Sequence, residues 1–146
     1  MSSHTIGMPP RSVSILLRLE GLTALSAAVT AYWFLGGNWW LFALLLLAPD
    51  LAFFAYAAGE KTGAKIYNLV HTYTLPAMLG AIGWFGGVTW LVPLALIWLS
   101  HIGMDRAVGY GFKYPGRDGW THIGLMGKAK KAAQADGKAE QLANAG

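Results

Sequence analysis

Four long apolar segments, separated by short turns, dominate the chain up to residue 107. They cover residues 12–35, 39–58, 64–85 and 89–107. Each has about 20 residues, which is the length that an α-helix rising about 1.5 Å per residue needs to cross the roughly 30 Å hydrocarbon core of a bilayer. The pattern therefore predicts four transmembrane helices.

Short connections join these segments, and each of them contains glycine. The connections are Gly36-Gly37-Asn38, residues 59–63 and Gly86-Gly87-Val88. Glycine ends helices and permits tight turns, and connections this short force consecutive helices to lie side by side in opposite directions. The sequence therefore predicts an all-α fold, a four-transmembrane-helix antiparallel bundle formed by residues 12–115.

The two ends of the chain differ from this apolar domain. Residues 1–11 are short, polar and proline-containing, which is typical of a flexible leader. Residues 116–146 are polar and simple in composition, rich in Ala, Gln, Gly and Lys, so they can bury little apolar surface. We expect a flexible tail here, with room for a short surface helix.

Lys and Arg residues mark one side of the predicted bundle. They occur near the start of the first span, around the second connection and after the fourth span: Arg11, Arg18, Lys61, Lys65, Arg106, Lys113 and Arg117. The first and third connections contain none. Because Lys and Arg concentrate on the side of a membrane that is not translocated, we expect the N and C termini and the second connection to be cytoplasmic.

The composition agrees with a membrane environment and narrows the chemistry. Hydrophobic residues make up 55% of the chain and charged residues 12%, well below the roughly 25% that is typical of soluble domains. The net charge of +4 comes from Lys and Arg beside the apolar spans, where the lipid bilayer is the expected partner and nucleic acid is not. The chain contains no cysteine, which excludes disulfides, thiolate metal ligands and cysteine nucleophiles.

Five ionisable residues lie within the predicted spans: Glu20, Asp50, His71, His101 and Asp105. Counted from the basic side, the first four lie about six to eight residues into their helices, on the order of 10 Å from the inner surface. Asp105 is one turn below His101 on the same helix face. An ionisable group in a bilayer is costly unless it faces the protein interior or a water-filled cavity. The pattern therefore predicts a polar pocket that opens to the cytoplasm.

The residue types in this pocket indicate a metal site. His71, His101 and Asp105 are candidate ligands, since imidazole and carboxylate groups suit Zn, Mn or Fe and helix bundles hold such ions between facing side chains. A metal-bound water ionises near neutral pH, and Glu20 and Asp50 are candidate catalytic bases for it. Nearby polar and basic residues are candidates for binding the headgroup of an amphiphilic substrate: Arg18, Asn68, Arg106 and Lys113.

Three other interpretations of the polar pocket stay open. The carboxylates could pair with Arg18, Arg106 and the histidines in a structural network that holds the helices together. His71 and His101 could be axial haem ligands, although three carboxylates around a haem are electrostatically unfavourable. Acids and histidines also relay protons in transporters, for which four short helices would require a homo-oligomer. The structural and transport interpretations describe a protein without catalytic activity.

Several motifs also resemble those of a known family. They are Leu17-Arg18-Leu19-Glu20-Gly21, Ala48-Pro49-Asp50-Leu51, Tyr67-Asn68-Leu69-Val70-His71 and residues 101–114. In these motifs, and over approximately Ser14 to Gly124, the chain resembles a family of small bacterial four-helix membrane proteins classed as a domain of unknown function. The resemblance implies a multi-pass protein of the bacterial inner (cytoplasmic) membrane and carries no particular activity with it.

Overall fold

The structure is a computed structural model that describes residues 9–115 and 119–144, with the backbone alone for residues 137–144. The helices are α1 (Arg11–Phe34), α2 (Trp39–Leu45), a 3₁₀ helix (Ala48–Ala58), α3 (Glu60–Val70), α4 (Thr74–Phe85), α5 (Leu91–Val108) and α6 (Gly127–Asn144). Two short strands, β1 (Trp120–Thr121) and β2 (Gly124–Leu125), form an antiparallel hairpin before α6. The fold is therefore mostly helical, as predicted. Residues 1–8, most of the predicted leader, lie outside the described residues.

Among the described residues, three stretches of helix are long and apolar enough to cross a membrane. They are Arg11–Phe34, Trp39–Ala58 and Leu91–Val108. Large apolar side chains cover the outside of the described fold, and Phe34, Trp40 and Phe85 are each more than 80% exposed. Such a surface is unfavourable in water and suits contact with lipid, where a helix is the spanning structure that satisfies its own backbone hydrogen bonds.

The predicted third span, residues 64–85, is divided into two helices. α3 ends at Val70 and α4 begins at Thr74. Pro76 explains the interruption, because proline has no N–H and its ring collides with the carbonyl four residues earlier, which belongs to Thr72. The break places His71 at the end of a helix instead of within one.

The second span changes its helix type near a second proline. Pro49 lies four residues after Leu45, where α2 ends, and the chain continues as a 3₁₀ helix of 11 residues. Runs of 3₁₀ helix longer than about four residues are uncommon. Its three residues per turn align every third side chain in one column, which a 3.6-residue helix would not do. Asp50 stands at the start of this column.

Helix α5 is the centre of the packing. α1 and α4 pack against α5, and the 3₁₀ helix packs against α3. Glycines permit the contact between α1 and α5: a Cβ at Gly103 would lie 2.6 Å from the backbone nitrogen of Leu25, and one at Gly21 would lie 2.8 Å from that of Ala107. The two helices are antiparallel, so α1 begins where α5 ends. We call this end of the bundle the basic end, because Arg11, Arg106 and Lys113 belong to it.

The residues after α5 fold back onto the basic end. Gly109, with a φ of 100°, ends α5 in the left-handed conformation that glycine adopts without strain. Lys113 then pairs with Thr121 in an isolated antiparallel bridge, and the hydroxyl of Ser14 donates a 2.6 Å hydrogen bond to the carbonyl of Ile123. The segment expected to be a flexible tail thus contains a docked hairpin and the helix α6.

His122 holds this hairpin in place. Its Nδ1 accepts a 2.8 Å hydrogen bond from the backbone N–H of Phe112, and the two rings lie 4.9 Å apart. Burial, together with the positive charge of Arg106, lowers the pKa of His122 to about 4. The imidazole is therefore neutral at physiological pH, as an acceptor nitrogen must be.

Candidate functional site

Four ionisable side chains from separate parts of the chain converge inside the described fold. Asp50 comes from the start of the 3₁₀ helix, His71 from the turn after α3, and His101 and Asp105 from successive turns of α5. One nitrogen or oxygen atom from each lies within 4.8 Å of the others. We call these four residues the His/Asp cluster. The structure thus brings together four of the five ionisable residues that the sequence predicted to share a pocket.

Short distances separate the two imidazoles of the cluster from each other and from the two carboxylates. The Nε2 atoms of His71 and His101 are 3.1 Å apart. Oδ1 of Asp50 lies 3.5 Å from the first nitrogen and 3.6 Å from the second. Oδ2 of Asp105 lies 3.6 Å and 3.7 Å from the same two atoms. Each carboxylate oxygen is therefore nearly equidistant from the two imidazole nitrogens.

The cluster is closed on most sides and open on one. The side chains of His71 and His101 are fully buried, and that of Asp105 is 9% exposed. The Asp50 side chain is 39% exposed. Asp50 is therefore the member of the cluster with a largely accessible side chain, whereas the other three side chains are held within the protein.

Hydrogen bonds fix the tautomer of His71. Its Nδ1 lies 2.8 Å from the carbonyl oxygen of Tyr67, which can only accept, so Nδ1 carries the proton. The neutral ring then presents the lone pair of Nε2 to the cluster. Arg106 donates a 2.8 Å hydrogen bond to the carbonyl of His71 and so anchors the backbone at the break between α3 and α4.

Tyr67 is a member of the site that the sequence interpretation missed. Its ring stacks on that of His71 with centroids 3.8 Å apart and planes 17° apart, and its hydroxyl donates a 3.3 Å hydrogen bond to Oδ2 of Asp105. The i, i+4 spacing of Tyr67 and His71 was the available signal, since residues at that spacing share a helix face. Tyr67 supports one imidazole and one carboxylate at once.

His101 differs from His71 in the hydrogen bonding of its Nδ1 atom. Nδ1 of His101 is buried and has no hydrogen-bond partner among the described residues. Its Nε2 faces the unprotonated Nε2 of His71. His101 can therefore donate its Nε2 proton to His71, or both nitrogens can direct lone pairs to one ion.

Glu20 and Arg18 lie outside the cluster, on the exposed face of α1. The next residue, Gly21, is the one that α1 buries against Arg106. Neighbouring positions on a helix are about 100° apart around its axis. Glu20 therefore lies at the expected depth but does not share the direction of Gly21. Arg18 instead lies against Gly109, beyond the end of α5. Roles for Glu20 in catalysis and for Arg18 in substrate binding stay predictions.

The remaining predicted substrate-binding residues surround the basic end of the site. Arg106 is buried and donates to the carbonyl of Tyr110 at 2.7 Å as well as to that of His71, with Phe112 under its guanidinium. Asn68 binds the backbone of Lys113 at two points. Arg106 and Asn68 thus hold main-chain segments in place, and contact with a substrate stays a prediction for both.

The fold and the site together define a helical protein with segments able to cross a membrane and a buried cluster of two histidines and two aspartates. A family model described as a domain of unknown function (DUF4260) matches residues 14–126, which is more than half of the chain. The chain belongs to this family, which confirms the predicted resemblance to a domain of unknown function. No curated protein and no solved structure matches the chain.

Proposed function

We propose that the His/Asp cluster binds a divalent transition metal ion. The observation that carries the proposal is the set of five distances, from 3.1 to 3.7 Å, between the ligand atoms. In a tetrahedral site with metal–ligand bonds of about 2.0–2.2 Å, neighbouring ligand atoms are about 3.3–3.6 Å apart. The five separations are therefore close to those that one such ion requires, and all four ligand atoms lie within 4.8 Å of one another.

The ligand chemistry supports the same proposal. Two imidazoles and two carboxylates form a hard-to-borderline donor set that suits Zn, Mn or Fe. The proton on Nδ1 of His71 leaves Nε2 as a lone pair, and a carbonyl partner for the other nitrogen is the usual support of a metal-binding histidine. Haem fits less well, because Nε2 atoms 3.1 Å apart leave no space for a porphyrin plane between them.

The proposed environment is the bacterial inner membrane. The resemblance carried by the motifs implies it, and three segments able to cross a membrane support it. We count α3 and α4 together as a further, broken span, which gives four spans with both termini and the basic end in the cytoplasm. The basic residues at this end support that orientation.

The open side of the cluster supports a catalytic role for the metal. His71, His101 and Asp105 would be the permanent ligands, and the partly exposed Asp50 would give way to a water molecule and accept its proton. A metal ion lowers the pKa of bound water toward neutrality, and a nearby carboxylate serves as general base. We infer hydrolysis or a related modification of an amphiphilic substrate that enters beside Asp50.

A structural network is the second candidate. The 3.1 Å separation of the two Nε2 atoms also suits a direct hydrogen bond from His101 to His71. In that case the cluster would join the helices without a metal and without catalysis, and each interhelical contact would contribute about 0.6–2 kcal/mol.

Elemental analysis of detergent-purified protein distinguishes the two candidates. The metal site predicts a stoichiometric transition metal that is lost in His71→Ala and His101→Ala and retained in the control His122→Ala. Circular dichroism of each variant checks that the helices persist. Metal-free wild-type protein, after purification in zinc-, manganese- and iron-supplemented buffers, would refute the metal site and support the network.

A further inference from the structure

The break between α3 and α4 changes the hydrogen bonding of the backbone at the end of α3. In a continuous helix, the N–H of Thr74 would donate to the carbonyl of Val70. Here it donates a long, 3.5 Å hydrogen bond to the hydroxyl oxygen of Thr72. Inside a bilayer, a broken helix is tolerated where neighbouring groups satisfy its freed backbone atoms. The Val70 carbonyl therefore needs a donor from another part of the fold.

Helix α5 supplies donors to two consecutive carbonyls at the break. The indole N–H of Trp98 donates a 2.9 Å hydrogen bond to the carbonyl of Val70. Arg106 donates a 2.8 Å hydrogen bond to the next carbonyl, that of His71. Trp98 precedes His101 on α5 and Arg106 follows it, so the two donors stand about 12 Å apart along the helix, one on each side of the second imidazole.

These two hydrogen bonds fix the peptide planes on either side of the His71 Cα atom. The Val70 carbonyl belongs to the plane before that atom, and the His71 carbonyl belongs to the plane after it. His71 has a φ of −99° and a ψ of 21°, outside the α-helical region, so a helical ladder does not set these angles. The two planes determine the direction of the Cβ atom and thereby the position of the imidazole.

The surroundings of the Trp98 hydrogen bond are apolar. Trp98 and Val70 line a cavity of about 350 Å³ whose other walls are apolar side chains such as Leu79 and Leu94. A hydrogen bond is stronger in such low-dielectric surroundings than in water, and a carbonyl left there without its donor is costly. Loss of the indole N–H therefore favours a shift of the backbone at the break over an unpaired carbonyl.

We propose that Trp98 is a positioning residue of the metal site, whose indole N–H holds the His71 imidazole at the separation from His101 that one shared ion requires. The inference rests on the proposed function and extends it beyond the four ligands. Trp98 acts through the peptide between Val70 and His71 and is not itself a ligand, because an indole N–H is a donor only. Its role is that of the outer partners that orient the ligands of metal sites.

Chelator competition for zinc in detergent-purified protein measures the effect of Trp98→Phe. The substitution removes the N–H and keeps an aromatic ring beside the cavity. We expect zinc binding to weaken about tenfold, the lower limit for loss of an outer partner, because the contact acts through the backbone. Trp84→Phe is the matched control, since Trp84 is exposed on α4 and its substitution should leave the affinity unchanged. Equal zinc affinity in Trp98→Phe and wild-type protein would overturn the inference and leave the metal site intact.

The absorption spectrum of cobalt(II)-loaded protein separates positioning from a general effect on stability. Its visible bands depend on the number and geometry of the ligands. A displaced His71 should change these bands in Trp98→Phe saturated with cobalt, whereas Trp84→Phe should keep the wild-type spectrum. Weaker metal binding with a wild-type cobalt spectrum would give Trp98 a merely structural role and would overturn the inference.

Hydrogen exchange of the indole N–H tests the underlying contact in metal-free wild-type protein, so this result does not depend on the folding of a variant. In protein with isotope-labelled tryptophan, the Trp98 N–H should exchange with deuterium at least about tenfold more slowly than that of Trp84. Equal rates would contradict the hydrogen bond to Val70 and overturn the inference. Wild-type protein that binds neither zinc nor cobalt would instead overturn the proposed metal site and, with it, the role given to Trp98.

Discussion

Tyr67 supports the His/Asp cluster by three contacts, and substitutions can remove them separately. The hydroxyl binds Asp105 at 3.3 Å, the ring stacks on His71 at 3.8 Å, and the backbone carbonyl accepts the Nδ1 proton of His71. Tyr67→Phe removes the hydroxyl contact alone. Tyr67→Leu removes the hydroxyl and the stacked ring and keeps the carbonyl.

The expected losses of metal affinity follow from these contacts. Loss of an outer partner of a metal ligand typically weakens binding by about 10- to 100-fold. At 3.3 Å the hydroxyl contact is long for an O–H donor, so we expect Tyr67→Phe at the lower limit, about tenfold or 1.4 kcal/mol. Tyr67→Leu should approach about 100-fold, because His71 also loses the ring that fixes its orientation.

Competition for zinc with a chelator of known affinity measures both effects in detergent-purified protein. Tyr110→Phe is the matched control, since Tyr110 is a partly exposed tyrosine of the same end of the bundle and should leave the affinity unchanged. Wild-type affinity in Tyr67→Leu would refute the reasoning, because a site indifferent to the orientation of His71 does not use that imidazole as a ligand.

Three further predictions concern the scaffold around the site. Because His122 has a folded pKa of about 4 and an ordinary value of about 6.5 when released, docking of the hairpin is strongest above pH 6.5 and weakens as the pH falls toward 4. Hydrogen exchange at the amide of Phe112, corrected for its intrinsic rate, should rise over this interval; a flat profile would contradict the assignment. Gly103→Ala should destabilise the fold by about 1–3 kcal/mol, since the new Cβ would meet backbone atoms of α1, whereas Gly80→Ala would meet only another Cβ at 3.3 Å and should cost less in a detergent unfolding titration. Pro76→Ala should restore the missing backbone donor, lengthen the helix through the break and lower zinc affinity about tenfold or more by moving His71, as chelator competition would detect.

The common depth of the polar residues was predictable because it depends on one constant. The rise per residue of a helix places Asp50, His71 and His101 at one level even when helix boundaries shift by two residues. The direction in which a side chain points at that level depends on the rotation of its helix about the helix axis. For α1, this rotation depends on which small residues contact α5. Glu20 has the right depth and lies on the exposed face for this reason.

The prolines that accompany the breaks in the helices are visible in the sequence, and they would have allowed one of the two breaks to be predicted. Pro76 predicts a discontinuity four residues earlier by the rule for proline inside a helix. The long 3₁₀ helix that contains Pro49 was not predictable in the same way, since proline forbids one hydrogen bond and does not specify a helix type. The column of Asp50, Phe53 and Tyr56 depends on that helix type and could only be found in the structure.

The packing of the helices divides the residues of the His/Asp cluster between two groups of helices. α1 and α4 pack on α5, while the 3₁₀ helix packs on α3. His101 and Asp105 belong to the first of these groups, and Asp50 and His71 belong to the second. An ion held by all four side chains would add a further link between these two groups, which the hydrogen bonds from Tyr67 to Asp105 and from Arg106 to His71 already join.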